Sequence, residues 1–213
     1  MMNGYLTWYC QMIKITDKMI KSISVHCGLT MLQCVKVFGG WAAVKGNLMF
    51  LEDPKKASRH FYEGLLNITS GYISKNANRV KNDKMLTKKQ QDKLITEDHW
   101  LSGQVFGRYV SHNFFELYDI RENMTEEQNL ARLIAYVEEC KVASQTVIVT
   151  KDENAKLSKL TEEGCNIVVP TLQRYKECNM ATLWDVKRGI WTTKFPFQLS
   201  GEFLKYEKEH LLI

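Results

Sequence analysis

The sequence predicts a mixed α/β (α+β) protein: a helical N-terminal lobe, then a region with short strands and a strand-helix-strand unit. Three observations carry this. Met12, Ile15, Met19, Ile20 and Ile23 recur at intervals of three and four, the period of a helix with one buried face. Residues 145–149 form a short run rich in β-branched side chains. Directly after it, Thr150 and Glu153 stand at capping-box spacing and open a helix, and a second apolar run follows at 166–170.

Taken in chain order, residues 8–37 read as helix with lysines on the outer face, and Gly39-Gly40 interrupts the pattern. The apolar run beyond them could continue as helix or turn back as a hairpin. Asp53-Pro54 opens a further helix that carries Phe61, Leu65, Leu66 and Ile68 inward. Thr125 and Gln128 form another capping box ahead of Leu130, Leu133, Ile134 and Val137, and this helix ends near Lys141. The helix from Thr150 runs to Gly164, and if the strands before and after it share a sheet, their crossover is right-handed. Beyond Tyr175 the chain is aromatic and loop-rich, with Trp184, Trp191, Phe195 and Phe197, and closes in a helix. The expected organisation is a helical lobe at 1–73, a basic linker or helix at 74–95 and an α/β catalytic region at 96–213.

Composition narrows the function classes. A chain of 213 residues can bury a core without disulfide staples. Its six cysteines include no CxxC pair, so buried free thiols are expected and a zinc knuckle is not. Residues 1–11 lack a basic leader and a long apolar run, which points to a cytoplasmic protein. Residues 29–51 are interrupted by Lys36 and Lys45, so they read as core and no membrane partner is expected. The net charge is +5, and the excess concentrates at 74–93, where Lys75, Arg79, Lys81, Lys84, Lys88, Lys89 and Lys93 face only Asp83 and Asp92. This stretch is either a phosphate-binding strip or a solvated helix face. No glycine spacing matches a Walker loop or a dinucleotide fingerprint.

Three constellations could carry chemistry. In Glu97-Asp98-His99 an imidazole that titrates near neutrality adjoins carboxylates able to hold a divalent cation; the alternative is a helical first turn capped by Thr96. In the helix after residues 145–149, Asp152, Glu153 and Asn154 offer oxygen ligands, or simply complete a helix cap. Glu139-x-Lys141 with Asp119 upstream matches half of a restriction-type motif, or an ordinary charged helix face.

The Asp98-His99 pair, followed downstream by the strand and helix bearing Glu153-Asn154, resembles the ββα-metal fold of phage-encoded HNH-type nucleases. That resemblance implies that His99 is the general base, that Asp98 and Asn154 hold Mg²⁺ or Mn²⁺, and that Asn113 orients the imidazole. DNA is then the expected partner, in a phage-infected bacterium, with the lysine strip on the phosphate backbone. Asp98 and Asn154 lie 56 positions apart, so the motif would carry an insertion. The competing expectation is a non-enzymatic phage or host-interaction protein that binds a protein or nucleic acid through its aromatic C-terminal region.

Overall fold

The computed structural model describes residues 15–51, 61, 63–160, 171–194 and 200–210. The expected helix start at Asp53-Pro54, the cap at Gly164 and the strand at 166–170 lie outside these residues. The chain forms two compact units. One comprises the described residues up to Leu66 together with Phe106–Ala143, and the other comprises Asn67–Val105 and the described residues from Ser144 onward. The segment expected to be a helical lobe thus gives its last residues to a sheet, and the segment expected to be catalytic gives residues 106–143 to the helical unit.

In the helical unit, α1 (Asp17–Cys27) starts at Thr16, whose hydroxyl accepts from the Met19 amide at 3.2 Å, and stops at Gly28, whose φ of 63° is easy for glycine. It buries Met19, Ile20, Ile23 and Cys27, the face that the spacing predicts, and leaves Lys18 and Lys21 outside. The second helix, α2 (Met31–Leu51), runs unbroken through Gly39-Gly40. The reason is tertiary: a Cβ on Gly40 would lie 2.6 Å from the Gly64 Cα, so glycine here permits a close backbone crossing. Val37, Trp41 and Val44 of α2 are fully buried, and no single described helix is long and apolar enough to cross a membrane. The chain returns to this unit with most of a helix over Gly103–Asn113 and with a longer one over Glu126–Ala143, the latter opened by the Thr125–Gln128 capping box. The core is tied by polar contacts that bring Trp41 Nε1 to the Tyr118 carbonyl at 3.1 Å and Lys45 to Asp119 at 2.6 Å.

The second unit is built on a five-stranded sheet in the order β2-β3-β1-β4-β5. It opens with β1 (Ile68–Ser74), α3 (Lys75–Asn82), α4 (Lys88–Leu94) and β2 (Ile95–His99). The two returning helices of the helical unit, α5 (Gly103–Asn113) and α6 (Glu126–Ala143), follow in sequence. The sheet unit then resumes with β3 (Gln145–Thr150), α7 (Lys151–Lys159), α8 (Thr171–Glu177), β4 (Leu183–Asp185) and β5 (Ile190–Thr192), with α9 (Gly201–His210) last. Strands β1 and β3 are parallel and the other pairings are antiparallel. Ile68, expected on an inward helix face, is therefore the first residue of a strand.

Both parallel strands run straight into helices, and one carboxylate serves both junctions. Thr150 and Glu153 form the expected capping box on α7. Glu153 is only 5% exposed, and it also accepts from the Ser74 hydroxyl at 2.6 Å and from Asn76 Nδ2 at 2.9 Å, while Ser74 caps α3. A buried carboxylate is tolerated because it collects several donors.

Candidate nucleic-acid interface

Within the sheet unit, the expected metal-site residues Asp98, His99 and Asn154 do not come together. Glu97, Asp98 and His99 lie on β2, not in a helical turn capped by Thr96. Along a strand successive side chains point to opposite faces, so Asp98 faces away from Glu97 and His99. Asp98 Oδ2 accepts from the Arg174 guanidinium and, at 2.7 Å, from the Tyr175 hydroxyl. Arg174 is 4% exposed and also donates to the His99 carbonyl at 3.0 Å. Burial pulls the Arg174 pKa down, the adjacent Asp98 charge raises it, and the net shift is upward. Burial also raises the Tyr175 phenol well above its ordinary value.

Asn154 sits one turn into α7, beyond the end of β3. The register pairs that end, Thr150, with Ile95, and pairs His99 with Thr146 at the far end. Four residues of strand, roughly 13 Å, separate the two levels. Asn113 belongs to the helical unit, where its amide donates to the Tyr109 carbonyl of its own helix at 3.0 Å. A magnesium or manganese ion therefore does not fit the set Asp98, His99, Asn154: the aspartate serves a buried ion pair and the asparagine stands on a distant level. Among the described residues no group of three His, Cys, Asp or Glu side chains is placed to hold a metal ion. The restriction-type alternative meets a helix as well, since Glu139 and Lys141 lie within α6 and Lys141 donates to the Cys27 carbonyl at 2.6 Å. Asp119 is occupied by Lys45.

The basic strip is a helical hairpin. All seven cations of α3, α4 and the turn between them are exposed, as are Asp83 and Asp92. The turn is fixed by Gln91, whose Nε2 donates to the carbonyls of Lys81 at 3.2 Å and Asp83 at 3.1 Å. A capping box of Thr87 and Gln90 starts α4.

This hairpin borders a sheet face that the helices cover only in part. The strand registers align Glu97, Ile148, Ile73, Trp184 and Trp191 as directly opposed neighbours, one from each strand. Directly opposed residues share a face, so these five form a single lane across the sheet. Its end near β5 is aromatic: the Trp184 and Trp191 rings lie 5.2 Å apart at 61°, and Trp191 is 44% exposed. The other face holds Val147 and Val149, both fully buried, with Leu183 and Asp185. Two adjoining hollows of about 440 and 460 Å³ lie along the lane. Both are lined by Lys81 and Ile148; the first adds Lys88 and Glu97, the second Asn78 and Trp184.

Periodicity assigns Trp184 and Trp191 to nothing more definite than an aromatic loop region. A local signal for their position does exist: Asp185 and Gly189 close a hairpin between them. The Asp185 side chain accepts from the Arg188 amide at 3.0 Å, its carbonyl accepts from the Gly189 amide at 2.8 Å, and Gly189 has φ 64°. No protein-family model matches the chain, and neither a curated protein nor a solved structure matches it.

Proposed function

We propose that this protein binds single-stranded nucleic acid on the partly open face of its sheet, without cleaving it through the Asp98-His99 pair. The observation that supports this reading is the lane itself, a tryptophan pair with Trp191 exposed and Trp184 half-buried, on a sheet whose adjoining hollows are edged by Lys81 and Lys88. Aromatic faces stack with unpaired bases, and cations along one border hold the phosphates, the two requirements of single-strand recognition. A duplex keeps its bases stacked within, so it can use the lysines but not the rings. The buried Arg174–Asp98–Tyr175 cluster supports a stabilising role for Asp98.

The test is titration of unstructured DNA and RNA oligonucleotides, followed by tryptophan fluorescence and by anisotropy, with a duplex of equal length as comparison. Single strands bind more tightly than the duplex. Trp191→Ala weakens single-strand binding by about 5- to 150-fold, the range for losing one stacked base. Replacing Lys81, Lys84, Lys88 and Lys89 by glutamine makes the salt dependence shallower by about 0.7 for each phosphate no longer neutralised. Equal affinity of the Trp191 variant, or divalent-metal cleavage abolished by His99→Ala, would overturn the reading.

A further inference from the structure

Resting on that reading, we infer that Glu97 makes the sheet face selective for guanine among the bases of a bound single strand. The carboxylate stands at the β2 end of the lane, exposed, and lines the same hollow as Lys81 and Lys88. Two hydroxyls fix it from the next two strands of the sheet: Thr146 of adjacent β3 donates to one oxygen at 3.1 Å, and Thr69 of β1, one strand further, donates to the other at 3.2 Å. Among the described residues no lysine or arginine is paired with it. Each oxygen thus retains acceptor capacity toward the groove, in an orientation set before any ligand arrives.

A carboxylate in this position repels phosphate, so the backbone follows the lysine border and a base edge meets Glu97. The chemistry then discriminates. Guanine presents two adjacent N–H donors, N1–H and the N2 amino group, which match the two carboxylate oxygens as a parallel pair. Cytosine and adenine offer one amino group beside a ring acceptor that faces the carboxylate lone pairs. Thymine and uracil offer one N–H between two carbonyls. The lane also provides the spacing for more than one base: Glu97 and Trp184 are three strands apart, about 14 Å at the usual strand separation, so a stacked base and a base on Glu97 occupy separate places.

The experiment compares full-length protein on oligo(dT) strands that carry one central dG, one inosine, which lacks the N2 amino group, or dT alone, with the uridine-based RNA series in parallel. The dG strand binds about 5- to 150-fold more tightly than the dT strand, the range for one good bidentate base contact, and inosine loses most of that advantage. Glu97→Gln brings dG and dT to within about twofold of each other while the dT affinity stays equal or rises, because a negative charge has left the groove. Equal binding of dG and dT by the unaltered protein, with Trp191→Ala still weakening both, overturns guanine selection and leaves the binding platform standing. Discrimination that persists in Glu97→Gln also overturns it. Failure to bind any strand overturns the platform and the selection together.

Discussion

Replacing Asp98 by alanine lowers the stability of the sheet unit by about 3–5 kcal/mol, measured by denaturant unfolding at neutral pH. Arg174 is the cause. Its side chain is 4% exposed and its charge is balanced by Asp98, with the Tyr175 hydroxyl on the same carboxylate oxygen. Removing the aspartate leaves a desolvated guanidinium that keeps its hydrogen bond to the His99 carbonyl, at 3.0 Å, but has been stripped of its counter-charge. Arg174 Nε already has no partner, so the cluster has little spare capacity to reorganise. Pairing Asp98→Ala with Arg174→Met restores part of the loss, because an apolar pair of similar volume needs no charge balance. The outcome separates two roles for Asp98. A metal ligand on an exposed site can be removed with little effect on unfolding, so an Asp98→Ala protein as stable as the parent would refute the structural role.

Alkaline conditions produce the second large effect, and it falls on the helical unit. Burial raises the thiol of Cys27 from an ordinary value of 9.0 to about 12. Burial likewise raises the thiols of Cys34 and Cys140 and the phenols of Tyr118 and Tyr136. Each group gives up its proton in the unfolded chain at its ordinary value but keeps it when folded. Below pH 9 the thiols are protonated in both states and their contribution is complete. Between pH 9 and the folded value the unfolded chain binds fewer protons, so stability falls as pH rises, by up to about 1.4 kcal/mol per pH unit for each thiol. The tyrosines add the same sign of slope above pH 10. The expected result is a steep loss of unfolding free energy from pH 9 to 11, made shallower by Cys27→Ala at a fixed cost at neutral pH. A flat profile over that range would show that these groups titrate in the folded protein as they do in the unfolded one.

How far the candidate site is legible in the sequence follows from the range of the forces that form it. Glu97, Asp98 and His99 are visible as a chemically promising triplet, yet Ile95-Thr-Glu-Asp-His99 alternates no apolar residues and therefore hides its strand character. Its partner, β3, lies some fifty positions downstream, and only that pairing sets Asp98 on one face and Glu97 on the other. Once the faces are known, the aspartate belongs to the buried ion pair and the glutamate to the groove. The lysine strip is legible as charge alone; that it forms a capped helical hairpin beside a tryptophan pair depends on the sheet order.

The sequence by itself determined the mixed α/β class and the elements closed by local hydrogen bonds. Thr125 with Gln128 and Thr150 with Glu153 each satisfy amides within three positions, so chain position and side-chain chemistry suffice. Tertiary structure decided the rest. It carried α2 through Gly39-Gly40 by crossing Gly64, and it turned Glu153 from a simple cap into the tie between two helices. It also drew Glu97, Ile148, Ile73, Trp184 and Trp191 from five separate strands into one lane. Long-range backbone pairing creates that lane, and no periodicity along the chain records which residues will stand opposite one another.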